Sequence, residues 1–253
     1  MIRSCWTVRF FADYHTHTTY SDGRGTPLEN IQAAWDKGLR EVALTDHGPK
    51  NIGTGVAGEA TFLAIKEEVA SIARLLPKIK VLVGAEAAVT GRDGRLELSR
   101  KLIQELDLLI AGLHPYCLPA TLGDALGFTL PNLVVRLNRR LWDKMVNTNT
   151  KALVGAVYKY PVSFTSHPGL MMPVDLDELA RACAARETAL EVNTGHNYNK
   201  EKIVHAAARW GAKLVVNSDA HLPASVGQLD EGAALLKRLD FPPEQVINAV
   251  EGY

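Results

Sequence analysis

Cysteine is scarce in this chain: three in 253 residues, Cys5, Cys117 and Cys183, odd in number and scattered. Such usage excludes a disulfide framework and a thiolate zinc site, both of which need closely spaced pairs, and it suits a reducing compartment. An excess of either charge is also missing, because 28 Lys and Arg balance 28 Asp and Glu. A nucleic-acid coat or an anionic-membrane binder needs a basic surplus, so neither partner is expected. No run approaches the roughly 18 apolar residues of a membrane span, and the start MIRSCWTVRFFADYH lacks the apolar core of a secretory leader. The expectation is a soluble, cytoplasmic protein.

What is present is an ordinary core-forming composition, 47% hydrophobic and 22% charged, at a length suited to one α/β domain over residues 1–253. Apolar, β-branched runs predict strands at Thr7 to Ala12, Glu41 to Thr45, Lys80 to Ala85, Asp107 to Gly112, Val162 to Thr165, Ala189 to Asn193 and Lys213 to Asn217. Helical patterns fill most gaps. Thr26 reads as an N-cap, with Pro27 at the first helical position, Glu29 completing a capping box and Gly38 as the stop. Further helices are expected over Glu59 to Leu76, Asp175 to Arg186, Lys200 to Trp210 and Ala224 to Leu239, and a hairpin turns at Asp93-Gly94.

Strands alternating with helices imply a parallel sheet, either open and doubly wound or closed into a barrel. The first strand is not followed by G-x-G-x-x-G, which removes the main reason to prefer a dinucleotide-binding sheet. Pro115 to Val146 is too long for a plain connection and reads as an insertion, irregular at first and then helical over Leu133 to Met145.

The position of the polar residues carries the functional reading. Almost every strand is followed within about three residues by a side chain able to bind metal: Asp13, His15 and His17 in DYHTH, Asp46 and His47 in TDHG, Glu86 in GAE, His114 in GLHP, His167 in SHPG, Glu191 and Asn193 in EVNT, Asp219 and His221 in SDAH. A barrel would bring them all to one rim. His15 and His17 are two apart and so share a face of an extended chain. Imidazole with carboxylate suits zinc, manganese or iron. His196, in NTGHN, could reach the same rim and donate to a substrate. His205 lies within a predicted helix and reads as packed or surface, and Cys117 lacks the orienting group a Cys-His nucleophile needs.

Taken in order, DYHTH, SDG, TDHG, GAE, GLHP, SHPG, EVNT and SDAH resemble the PHP (polymerase and histidinol phosphatase) family, in particular its small stand-alone phosphoesterases. The resemblance implies a distorted (β/α)7 TIM-like barrel with up to three divalent metal ions (Zn, Mn or Fe) at the C-terminal rim. It implies one ion on His15, His17, Glu86 and Asp219, a second bridged by Glu86 and held by His114 and His167, and a third on His47, His221 and Asp22 of the SDG motif. Asp13 and Asp46 would orient these ligands. Pro115 directly after His114 and the long insertion depart from the family pattern.

The chemistry implied is hydrolysis of a small phosphomonoester by a metal-activated hydroxide, histidinol-phosphatase-like, with Glu86, Asp219 and His196 bearing on catalysis. Arg24, Lys50 and Arg92 are candidates for phosphate contact. Competing readings are a phosphodiesterase or exonuclease, a metal-dependent amidohydrolase, and a non-catalytic scaffold barrel. The insertion would border the site, as a lid contributing Tyr116, Phe128, Arg136, Arg139 and Arg140 or as an oligomer interface.

Overall fold

The computed structural model describes residues 7–252, and Cys5 lies outside them. The strands are β1 (Thr7–Phe10), β2 (Ala12–Asp13), β3 (Glu41–Leu44), β4 (Lys80–Ala88), β5 (Leu108–Gly112), β6 (Phe164–Thr165), β7 (Ala189–Asn193), β8 (Leu214–Asn217) and β9 (Ala249–Gly252). The helices are α1 (Pro27–Asp36), α2 (Ala60–Ile72), α3 (Arg100–Glu105), α4 (Leu122–Asp124), α5 (Leu130–Val134), α6 (Arg139–Lys159), α7 (Leu176–Arg186), α8 (Glu201–Trp210) and α9 (Asp230–Arg238). None of the described helices is long and apolar enough to cross a membrane.

Strands β2 to β8 form one parallel sheet of seven in sequence order. Its edges meet beyond the regular ladders, where Thr16 bridges Ala220 in parallel and the His17 N–H donates to the Ala220 carbonyl at 2.8 Å. The sheet is therefore a nearly closed, distorted (β/α)7 barrel, as expected. Ala43, Leu108, Ile110, Phe164, Ala189 and Val215 form a small apolar cluster of their own. Alternate residues such as Leu109, Ala111, Leu190 and Val216 join the larger core that includes the helices. This period-two division leaves the interior beyond Ile110 to polar side chains.

The capping box at α1 is present in both directions, the Thr26 hydroxyl accepting from Glu29 and the Glu29 carboxylate accepting from the Thr26 N–H, and Gly38 takes φ +75° just past the helix. At the turn expected near Asp93-Gly94, Val89 and Leu96 make an antiparallel bridge and Gly94 sits at φ +78°.

Three expectations need correction. The first predicted strand is two: Thr7–Phe10 pairs antiparallel with Ala249–Gly252 outside the barrel, and only Ala12–Asp13 enters it. The helix expected from Ala224 starts at Asp230, because Gly227 takes φ +69° and donates its N–H to the Asp13 carboxylate. The insertion is helical earlier than expected, with α4, a π-turn over Ala125–Thr129 and α5, and the helix expected over Leu133 to Met145 is interrupted at Asn138. Asn138 caps α6 by accepting from the Arg140 and Leu141 N–H groups, and α6 then runs 21 residues to Lys159. A buried amide pair, Asn132 with Asn149 at 2.8 and 2.9 Å, fastens α5 to α6.

Candidate metal centre

The strand ends deliver their polar side chains to one point. Glu86, near the end of β4, is fully buried, and its two carboxylate oxygens face different groups of histidines. On one side Oε1 lies 2.9 Å from His167 Nε2 and 3.2 Å from His114 Nε2. On the other, Oε2 lies 2.9 Å from His47 Nδ1, 3.3 Å from His15 Nε2 and 3.7 Å from His17 Nε2. Asp219 Oδ1 is 3.0 Å from His17 Nε2 and 3.4 Å from His15 Nε2. Asp22 Oδ2 stands 3.3 Å from His221 Nε2 and 3.8 Å from His47 Nε2. The structure thus brings together all nine side chains expected to ligate.

Three groupings offer atoms close enough to share an ion: His15, His17 and Glu86; His47, Glu86 and His114; and His17, Asp22, His47 and His221. The first matches the set the resemblance implies except that Asp219 is not in it, and the third matches with His17 added. The second pairs His114 with His47, while His167 meets Glu86 Oε1 directly.

The donor set fits divalent cations on its own chemistry. His15 Nε2, His17 Nδ1, His47 Nδ1, His114 Nε2 and both Glu86 oxygens are buried without hydrogen bonds, although several of these atoms are within about 3 Å of one another. Buried nitrogen and carboxylate atoms that converge without hydrogen bonds are costly unless a cation satisfies them.

The backbone geometry belongs to the site as well. His167 and Asp219 adopt φ of 27° and 51°, conformations a side chain occupies only when its surroundings insist. The insistence is visible for His167, whose N–H donates to Glu191 Oε2 at 2.7 Å. A Cβ on Gly112 would lie 2.7 Å from the His114 ring and 3.1 Å from Glu86 Oε1, so glycine is what lets these two meet.

Groups behind the cluster aim it. The His15 Nδ1–H donates to Glu191 Oε1 at 2.7 Å, leaving Nε2 toward the centre. Asn217 donates to the same oxygen, and Asn193 donates to both Glu191 Oε2 and Asp219 Oδ2. Asp13 accepts from the His15 and Ser218 N–H groups. Asp46 accepts from the Thr18 N–H and hydroxyl and from Ser21. Glu191 was legible as a polar residue at a strand end, but its service to both His15 and His167 was not. Glu97 carried no signal at all. It is buried beside the loop after β3, accepting from the Lys50 N–H, the Asn51 amide and the Ala88 N–H.

Burial pushes the Glu86 carboxyl up, but the surrounding histidines, His114 foremost, outweigh it and hold it well below the usual range. Asp219 behaves alike: burial raises it, and attraction from His15 with hydrogen bonds from His17 and His196 brings it well below. Burial lowers His15, and Asp219, Glu191 and Glu86 carry it well above its ordinary value. His17, between other histidines, goes down to about 4, through burial first and His47 second.

His196 does reach the rim, with Nε2 3.0 Å from Asp219 Oδ2 and the ring 43% exposed. His205 is exposed on α8, and Cys117 is buried with its thiol pushed up by desolvation, which suits neither to chemistry. Arg92 is turned toward Asp124 of the insertion, Nε to Oδ1 3.5 Å, so one of the three candidate phosphate contacts is already engaged.

Fold and cluster together define a class: a seven-stranded parallel α/β barrel with a histidine–carboxylate rim. The chain belongs to the PHP domain family, whose match covers residues 13–195. A protein named "Probable phosphatase" from Caldanaerobacter subterraneus subsp. tengcongensis is 28% identical over 251 residues, covering 95% of this chain and 88% of that one. One of the same description from Clostridium acetobutylicum is 28% identical over 255 residues, covering 96% and 92%. Among solved structures, histidinol phosphate phosphatase from Lactococcus lactis subsp. lactis, complexed with zinc, L-histidinol and phosphate, superposes with a TM-score of 0.59 at 17% identity, covering 91% of this chain and 94% of that chain.

Proposed function

We propose that the protein is a metal-dependent phosphoesterase acting on a small phosphomonoester of the histidinol-phosphate kind. One observation carries the reading: a buried Glu86 whose two oxygens face separate groups of histidines. A carboxylate so placed can serve two ions at once. His15, His17, Glu86 and Asp219 would hold one ion, Glu86, His114 and His167 a second, and His47, His221 and Asp22 a third. Zinc, manganese or iron suits this donor set. Such ions supply a water deprotonated near neutral pH and neutralise phosphate oxygens in an in-line displacement.

The chain's own groups do the rest. Glu191 fixes the His15 tautomer, and Asn193 holds the Asp219 carboxylate with one oxygen toward the centre. His196, half-exposed above Asp219, is the side chain placed to meet the leaving group. The family membership and the names of the relatives support the reaction class, and the neutral overall charge favours a small substrate over nucleic acid. The insertion begins directly after His114, and Leu122, Leu126 and Leu130 are 78%, 65% and 51% exposed on it. We assign it to substrate choice, or to contact with a second copy of the chain.

The test is elemental analysis of protein purified without chelator, joined to a screen of phosphomonoesters, phosphodiesters and carboxylic amides. More than one metal equivalent and preferred turnover of a monoester are expected. A stoichiometry at or below one after reconstitution, or preference for a diester or amide, would sink the reading.

A further inference from the structure

Lys200 is the one lysine or arginine among the described residues that is buried, at 6% exposure. An ammonium taken out of water needs strong partners, and a lysine at a helix start has an easy alternative in solvent. Its partners are specific. Nζ lies 2.8 Å from Glu231 Oε1, in the first turn of α9, and donates to the His196 carbonyl at 2.5 Å. The Tyr198 ring lies alongside, its centroid 5.5 Å from Nζ, and the Lys200 N–H donates to the Tyr198 carbonyl. The side chain therefore closes a loop back onto the residue four positions earlier.

The other end of that loop is fixed independently. Thr194 donates its N–H to the Asn217 carbonyl, and its hydroxyl donates to the Gln228 carbonyl at 2.7 Å with the Asn217 carbonyl also in reach at 3.1 Å. The Gly195 N–H donates to Asn193 Oδ1, and a Cβ on Gly195 would lie 2.3 Å from the Ser218 carbonyl oxygen. Between the two anchors stands His196, whose ring meets Asp219 at 3.0 Å and the His167 ring edge-on at 6.0 Å, while its backbone sets where the ring stands over the rim.

We infer that Lys200 is a positioning residue, a latch that ties the loop carrying His196 to α9 and holds that imidazole over the rim. The inference rests on the proposed role of His196 toward the substrate. Water could satisfy the His196 carbonyl in its place, as it does for most exposed loop carbonyls, so the latch adds order and not merely hydrogen-bond satisfaction. Glu231 is 60% exposed, so it neutralises the buried ammonium at little desolvation cost of its own.

Two measurements test it. The first is amide hydrogen exchange over Thr194 to Asn199 in the full-length protein stripped of metal, comparing wild type with Lys200→Met and Glu231→Ala. Exchange at least about tenfold faster in both, with the remaining peptides unchanged, is expected. Unchanged loop exchange overturns the inference. Should Lys200→Met fail to fold, Glu231→Ala decides alone, since its side chain is largely in solvent.

The second is a double-mutant cycle in the metal-loaded enzyme on a small aryl phosphate. Lys200→Met should lower kcat/KM by about tenfold, the scale of lost outer support to a site, with metal content and Tm retained. In a His196→Ala background the same substitution should change kcat/KM by less than about twofold, because its target is gone. Equal factors in both backgrounds mean that Lys200 acts elsewhere and overturn the latch. If wild type turns over no phosphomonoester, the phosphoesterase reading fails, and the latch is then judged by the exchange result.

Discussion

Replacement of Glu86 by Gln keeps the shape of the residue and removes what the centre needs from it. The amide has one oxygen, so it can serve either the His114 and His167 side or the His15, His17 and His47 side, while its NH2 faces the other. Its negative charge is lost as well. At an effective dielectric of about 20, a unit charge pair 4 Å apart is worth about 4 kcal/mol, roughly a thousandfold in an equilibrium or a rate. Relaxation and water entry reduce this, so a loss of at least about a hundredfold in turnover is expected, with at least one metal equivalent missing. Because Gln matches Glu86 in size and its amide can hydrogen-bond the facing imidazoles, the variant should remain folded. Metal content by elemental analysis, turnover of an aryl phosphate and the far-UV circular dichroism melt are to be measured on one preparation. A folded variant with full metal content and turnover within about threefold of wild type would refute the bridging role.

In protein stripped of metal, burial lowers His221 but its hydrogen bond to Asp22 and the charge of Asp219 raise it to about 9, against an ordinary 6.5. A raised folded value means that the stabilisation is complete below about 6.5 and is lost as pH rises through about 9. Urea melts across that window should show declining stability, and Asp22→Asn should flatten the decline; an unchanged slope speaks against the pair. Glu97→Gln sets an NH2 against one of three N–H donors, those of Lys50, Asn51 and Ala88, and should cost about 1–3 kcal/mol. A calorimetric Tm equal to wild type would show that the loop after β3 does not depend on it. Leu122, Leu126 and Leu130 changed together to Gln should keep turnover of a minimal aryl phosphate while altering selectivity among larger phosphates. Unchanged selectivity with a dimer lost in sedimentation velocity would assign that face to subunit contact instead.

The fold and most of the site were legible along the chain for a simple reason. In a parallel barrel each strand ends at the same rim, so candidate ligands announce themselves one strand at a time, as in TDHG, GLHP and SDAH. The two-residue spacing of His15 and His17 survives in three dimensions on near-extended chain beside β2, whereas Asp219 and His221 reach the rim through a left-handed Asp219 at φ 51°. Local signals were equally readable where a single residue dictates the backbone, as Thr26 and Gly38 do for α1. The insertion was misread where short helical turns replace an irregular stretch, since its pattern of leucines reflects an exposed face and not a buried stripe.

The sequence by itself determined the alternation of strands with helices, hence a parallel sheet, and the identities of the side chains that follow each strand, because these follow from hydrophobic period and adjacency. Closure into a barrel was implied only by the resemblance to the PHP family, and the strand order was decided by the tertiary structure. Only the tertiary structure decided which rim side chain faces which. That His47 meets Glu86 Oε2 while His167 meets Oε1, that Glu191 serves both His15 and His167, and that Lys200 reaches back to His196 and across to Glu231 depend on long-range packing. So does the split of the first strand, because the partner of Thr7–Phe10 is a segment more than 230 residues away, at Ala249–Gly252. Such pairings are fixed by closure of the barrel and by what each buried polar atom can find there, and no local pattern carries that information.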